Sequence, residues 1–306
     1  MNAPLKGTGV ALVTPFRDGK VDFKALGALV NHVLEGGVDF LVSLGTTGEA
    51  VTLSLEECRQ VLDFTLAESG GKVPVVAGMF GGNNTEALKE RIRRFDFQGI
   101  SAIMSSCPAY LKPSQEGLYR HYLEIAEVSP LPIILYNVPG RTGCNLRAET
   151  TLRLARASER FIAVKEASGD LVQAMKILKD RPEGFAVLSG DDVLTLPLIA
   201  AGAEGAISVI ANAFPHEFSA LVRAALEGDL PRARQLNEYL LDLHPWLYVE
   251  GNPAGIKKAL QLLGFCSAEV RLPLAEMSEK NAAGLAAELK KMRPRHRRPH
   301  PRSVTP

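Results

Sequence analysis

The chain has 306 residues, 46% of them hydrophobic and 23% charged, a balance that sets aside disordered, collagenous and disulfide-scaffold classes. Thirty-five basic residues against thirty-four acidic ones give a net charge of +1, too little for a chain-wide field that gathers nucleic acid or anionic membrane. Five arginines lie in the last fourteen residues, so removing them leaves −4 for the rest, and residues 293–306 read as a basic, Pro-rich disordered tail rather than a binding arm.

The first apolar run stops at Thr14 and Pro15, too short for a signal-peptide core, and no charge-free stretch reaches membrane-spanning length. Eight short β-rich runs then recur, at 10–13, 40–44, 73–77, 102–104, 133–136, 162–165, 186–189 and 206–210. A helix-like segment follows each. Asp22 opens one whose apolar face holds Phe23, Leu26 and Val30 before Gly36 stops it, and Ser54 with Glu57 carries a capping-box signature for the next. Eight strand–helix units with strands apolar throughout predict a (β/α)8 TIM barrel over residues 1–228 rather than an open doubly wound sheet. No G-x-G-x-x-G follows the first strand and no G-x-x-x-x-G-K-[ST] occurs, so dinucleotide and nucleoside-triphosphate sites lack their usual support. Beyond Gly228 the strands cease, and helices over 231–243, 253–263 and 279–292 predict a small C-terminal helical domain over 229–292.

Reactive groups of such a barrel sit where its strands end. The runs end on Thr14, Thr46 with Thr47, Ser105, Tyr136, Lys165, Ser189 with Gly190, and Ser208. Lys165 is the outlier, because an ammonium after Ile162-Ala163-Val164 is costly to bury unless paired or neutralised. Pushed towards the neutral amine it is a nucleophile for a carbonyl, forming a Schiff base; the alternative is a structural ion pair with Glu166 or a neighbouring carboxylate, and position alone leaves both open. The loop Gly45-Thr46-Thr47-Gly48-Glu49-Ala50 offers amides and hydroxyls to a carboxylate, or is simply a tight turn with capping threonines. Tyr136 and Arg141 share the loop after the fifth run, a phenol able to relay protons and a guanidinium able to clamp a carboxylate; singly, each also reads as core tyrosine and surface charge. The six histidines and four cysteines show no metal-ligand or disulfide spacing, which predicts no metal and a reducing, cytoplasmic setting.

In combination, GTTGEA (45–50), PSQEGLY (113–119), LYNVPGRTG (135–143), VKEASGD (164–170), LSGDD (188–192) and GAISV (205–209) are specific. Through them the chain, over roughly residues 7 to 290, resembles the 4-hydroxy-tetrahydrodipicolinate synthase family, formerly dihydrodipicolinate synthase, among the pyruvate-dependent aldolases and lyases that include N-acetylneuraminate lyase. The resemblance implies a lyase of lysine and diaminopimelate biosynthesis in which Lys165 condenses with pyruvate and the resulting enamine attacks aspartate β-semialdehyde. It also implies a proton relay of Thr47, Tyr136 and Tyr110, the last reaching in from a neighbouring subunit of a homotetramer built as a dimer of dimers. Thr46 and Thr47 would hold the pyruvate carboxylate, Arg141 the carboxylate of the semialdehyde, and Gly190 and Ile207 would line the pyruvate pocket. No cofactor is needed, since the lysine itself is the electron sink.

Met79-Phe80 and Asn252-Pro253-Ala254-Gly255 depart from the family's pattern outside the reactive set, leaving room for altered loop packing or a different second substrate. A related aldolase acting on a sugar acid would keep Lys165 and Tyr136 but need not keep Arg141 or Tyr110; an inactive ligand-binding barrel would need none of the set. Regulated bacterial members carry histidines and an aromatic residue where this chain has Leu55, Cys58 and Ala109, so weak feedback by lysine is expected, with Glu86 alone surviving from that pattern.

Overall fold

The computed structural model describes residues 5–292, so the expectation of a disordered tail over 293–306 lies outside the described residues. The strands are β1 (Gly7–Ala11), a two-stranded antiparallel hairpin of β2 (Phe16–Arg17) and β3 (Lys20–Val21), β4 (Phe40–Ser43), β5 (Val75–Ala77), β6 (Ala102–Ser106), β7 (Ile133–Asn137), β8 (Phe161–Glu166), β9 (Ala186–Ser189) and β10 (Gly205–Ser208). All but β2 and β3 are parallel and close into one barrel, with β1 hydrogen-bonded to both β4 and β10. This is the (β/α)8 barrel read from the sequence, with a small hairpin that the sequence reading did not find.

Strand limits differ from the apolar runs for local reasons. Pro74 has no N–H to give the ladder, so β5 starts at Val75 although the Pro74 carbonyl still accepts from Leu41 N–H at 2.9 Å. At the other end, Ile210 enters a 3-10 turn over Ile210–Asn212 because the Asp192 carboxylate captures the N–H groups of Val209 (3.0 Å) and Ile210 (2.8 Å).

Alternate residues of each barrel strand point inward, and Phe40, Val42, Val76, Met104, Ile134, Ala163, Leu188 and Ile207 form an inner core separate from the larger one between strands and helices. Helix Phe23–Glu35 starts at Asp22, whose side chain accepts from Ala25 N–H, and helix Leu55–Ser69 starts in the Ser54/Glu57 capping box, as expected. Following the barrel come helices Leu230–Leu241, His244–Tyr248, Ala254–Leu263 and Glu279–Met292. They return to the loop after β4 through a salt bridge between Lys257 and Glu49, neither side chain exposed, and through Arg271, whose N–H donates to Glu49 at 3.0 Å.

Candidate active site

In the register of β7 against β8, Tyr136 lies beside Lys165. Side chains at paired positions share a face, so phenol and amine both turn inward, and Nζ of Lys165 sits 4.4 Å from the centroid of the Tyr136 ring. Both residues are buried. The next residue, Glu166, points outward, where its carboxylate accepts from Asn137 Nδ2 (3.1 Å), Gln173 Nε2 (3.0 Å) and Ser168 N–H (2.8 Å). The ion-pair alternative therefore fails for Glu166, and Lys165 forms no salt bridge with any carboxylate among the described residues.

A cleft of about 820 Å³ opens over this pair at the end of the barrel where the strands finish, lined by Thr47, Tyr136, Arg141, Lys165 and Gly190 among others. Gly190 leaves room beside the amine: a Cβ on it would come within 2.6 Å of Ala167 Cβ and 3.1 Å of Lys165 Cε. Arg141 is carried on a single helical turn, Pro139–Thr142, that starts with a proline and ends at Gly143 with φ 74°. It is exposed at the mouth and donates to the Asn252 carbonyl at 3.4 Å.

The loop after β4 is shaped by two left-handed non-glycine residues, Leu44 (φ 62°) and Glu49 (φ 54°). Thr14 clamps it by donating to the Gly48 carbonyl at 2.7 Å, and the buried Lys257–Glu49 pair holds its far end. Burial lowers the pKa of Lys257 while the field of Glu49 opposes the fall. Within this frame Thr47 is 2% exposed and faces the Lys165 cleft, whereas Thr46 faces an adjoining cavity of about 460 Å³ that shares Tyr136 and also touches Ala109.

Ile207 lies in the inner core of the barrel and not on the wall of the cleft; Tyr110 is 89% exposed on the surface, with φ 70° and its N–H donating to Thr142 at 3.0 Å. Two other strand-end hydroxyls have structural tasks, while that of Ser105 is buried without a partner among the described residues. Ser189 donates to the Asp191 carbonyl at 2.7 Å and Ser208 accepts from Ala211 N–H at 3.0 Å.

Sequence reasoning missed much of the polar wall: Asp191 and, from the segments after the barrel, Asp242, His244, Tyr248 and Asn252. Burial raises the pKa of Asp191 and lowers that of His244. Asn252, set aside from the sequence as outside the reactive set, donates from Nδ2 to Thr47 Oγ1 at 3.0 Å. Phe80, the other departure, is packed against Phe95 and Phe97 with Arg91 over its ring, away from the cleft. Among the described residues no three His, Cys, Asp or Glu side chains gather as metal ligands, and no helix is long and apolar enough to cross a membrane.

Residues 4–292 match the Dihydrodipicolinate synthetase family. A 4-hydroxy-tetrahydrodipicolinate synthase of Parabacteroides distasonis is 51% identical over 271 residues, covering 88% of this chain and 91% of its own. Among solved structures, the dihydrodipicolinate synthase from Aquifex aeolicus aligns with TM-score 0.90 at 42% identity, covering 94% of this chain and 98% of its own. A chloride-inhibited dihydrodipicolinate synthase from Acinetobacter baumannii, complexed with pyruvate, aligns with TM-score 0.90 at 40% identity and the same coverage.

Proposed function

The chain belongs to the dihydrodipicolinate synthetase family, and on that premise we propose that Lys165 is the amine through which it works. The protein is a lyase that condenses pyruvate with aspartate β-semialdehyde to 4-hydroxy-tetrahydrodipicolinate, the committed step towards diaminopimelate and lysine. The observation that carries the assignment of Lys165 is its burial beside Tyr136 at the floor of an open cleft, with no carboxylate paired to it among the described residues.

The amine adds to the ketone of pyruvate, water leaves, and the resulting iminium draws electrons from the methyl group, which loses a proton to give an enamine. Its terminal carbon attacks the aldehyde, the new alkoxide takes up a proton, and the amine of the second substrate closes on the iminium carbon to expel Lys165. Thr47 holds the pyruvate carboxylate from the cleft wall, with Gly190 bounding the pocket, while Thr46 and Ile207 lie outside that wall, in the adjoining cavity and in the inner core; Arg141 at the mouth holds the carboxylate of the semialdehyde.

Protons move between Tyr136, Thr47 and Tyr110 of the partner subunit. The exposure of Tyr110, next to Leu111 at 60%, supports a subunit contact there, which we assign to a homotetramer assembled as a dimer of dimers. The free state of all four cysteines is in keeping with a cytoplasmic enzyme.

Incubation with pyruvate and borohydride tests the assignment. A reduced pyruvyl group should map to Lys165 by peptide mass, and Lys165→Arg should abolish it because a guanidinium that stays protonated is no nucleophile. A label on another lysine, or none, would remove Lys165 from this role.

A further inference from the structure

We propose that Asn252 is a positioning residue for pyruvate, donating to Thr47 so that the threonine hydroxyl hydrogen is left for the substrate carboxylate. This rests on the reading of Thr47 as a carboxylate holder. A hydroxyl has one hydrogen to give and two lone pairs to accept with, and a carboxylate can only accept. A threonine serves such a ligand only if its hydrogen is not spent elsewhere.

Thr47 and Asn252 are 2% and 6% exposed, so their contact is shielded from bulk water while both line the cleft. Asn252 Nδ2 fills one lone pair of Thr47 Oγ1 at 3.0 Å, which turns the hydrogen away from Asn252. It is the nitrogen of the amide that faces Thr47, while Oδ1 is buried without a partner among the described residues. Were the amide reversed, Oδ1 would take the threonine hydrogen and the carboxylate would face lone pairs.

Asn252 is held firmly enough for this task. Its carbonyl accepts from Arg141 at 3.4 Å. The helix Ala254–Leu263 that follows packs so closely that a Cβ on Gly255 would lie 2.4 Å from the Leu247 carbonyl oxygen, and the same helix supplies Lys257 to Glu49, two residues beyond Thr47. One contact thus ties the helices after the barrel to the pyruvate side of the cleft, and a second contact, through the backbone, ties them to Arg141.

The test is the pyruvate dependence of Lys165 labelling by borohydride, together with steady-state KM for each substrate, in Asn252→Asp, Asn252→Ala, Thr47→Val and Thr47→Val/Asn252→Ala. Asn252→Asp keeps the shape but puts an acceptor against Thr47. It should raise half-saturating pyruvate about tenfold or more, and that penalty, relative to the parent at the same pH, should shrink as the pH falls and the new carboxyl gains a proton to donate. KM for the semialdehyde should stay within about twofold, since the contact to Arg141 is a backbone one; a general loosening of the fold would move both constants. In the Thr47→Val background, Asn252→Ala should add nothing further, because its partner is gone.

Unchanged pyruvate dependence in Asn252→Asp, a penalty indifferent to pH, or effects of Asn252→Ala and Thr47→Val that simply multiply would overturn the proposal while leaving Thr47 in place. Parent-like pyruvate dependence in Thr47→Val would overturn the reading of Thr47, and the role of Asn252 with it.

Discussion

Lys257 and Glu49 are paired with no exposure of either side chain, and they join a helix beyond the barrel to the loop after β4. Two charges withdrawn from water are tolerable only together. Glu49 also accepts from Arg271 N–H at 3.0 Å, and the Lys257 ammonium donates to the Glu269 carbonyl at 2.8 Å and lies 4.0 Å from the Phe16 ring centroid. Lys257→Ala leaves a buried carboxylate without its counter-ion and should cost about 3–5 kcal/mol of folding free energy. Urea unfolding of parent and variant measures it, and a loss under 1 kcal/mol would mean that water or another cation reaches Glu49.

Acid should weaken the fold through His121. Burial holds its pKa down at about 4, against 6.5 for an ordinary imidazole, with Nδ1 2.8 Å from the Thr85 hydroxyl. The unfolded ring takes its proton below 6.5 and the folded ring only near 4, so this contribution is whole above 6.5 and is lost as the pH falls from there to 4. The urea midpoint of the parent should therefore fall more steeply between pH 7 and pH 5 than that of His121→Gln. Parallel slopes would show that the ring does not carry the effect.

A side chain at Gly190 should disable the amine without unfolding the barrel. The Cβ of Gly190→Ala would press on Ala167 Cβ, on the Glu166 carbonyl oxygen and on Lys165 Cε, and the lysine would shift by a few tenths of an ångström from its position beside Tyr136. We expect kcat/KM to fall about tenfold or more, roughly 1.4 kcal/mol in the barrier, with an unchanged circular dichroism spectrum. Parent-like turnover would mean that the lysine has slack in its seat.

Much of this arrangement was legible in the sequence because it is local. The runs ending at Tyr136, Lys165 and Ser189 carry their own signal, an apolar β-rich stretch closed by a polar residue, and the helix Glu279–Met292 buries Leu285, Leu289 and Met292 at helical spacing. What escaped is non-local. Asn252 meets Thr47 across 205 positions, and Lys257 meets Glu49 across a comparable span; no spacing rule joins residues so far apart. The outward turn of Glu166 was a question of strand alternation, and only the register with β7 and the donors Asn137 and Gln173 decide it. GTTGEA assigns Thr46 and Thr47 alike to the pyruvate carboxylate, with Thr47 alone in the proton relay, yet the two face different cavities.

Arg141→Ala should impair use of the semialdehyde and spare the first half of the reaction. The guanidinium is exposed at the mouth of the cleft, so its loss removes a charge-assisted contact without opening the core. The cost should be about 1.5–3 kcal/mol, seen as a fall of roughly ten- to hundredfold in kcat/KM for the semialdehyde. Lys165 should still be labelled by pyruvate and borohydride. Lost labelling would move Arg141 into the pyruvate pocket, and equal activity would remove it from the site.

L-lysine should not inhibit this enzyme strongly. An amino acid bound beside the loop after β4 would need partners for an ammonium and a carboxylate together, since leaving either desolvated and unpaired is unfavourable. The cavity there, about 460 Å³, has Leu44, Val51, Leu53 and Met79 among its walls, with Leu55, Cys58 and Ala109 at the positions in question; Asn83 and Arg91 also reach it, but Asn83 accepts from Ala109 N–H at 2.7 Å and Arg91 donates to the Met79 and Gly81 carbonyls. None of Leu55, Cys58 and Ala109 carries a strong hydrogen-bonding group, and burial raises the pKa of the Cys58 thiol, keeping it neutral. Glu86, the one acidic residue that fits the pattern, is already engaged by Lys89 at 3.2 Å, and Lys89 also pairs with Glu124. Recruiting Glu86 to a ligand would cost part of that network, and a polar site gains little until most of its partners act together. Titrating L-lysine into the assay at saturating pyruvate measures the effect. Activity should persist at millimolar lysine, whereas half-inhibition in the submillimolar range would mean that other side chains, including those of a partner subunit, rebuild the site.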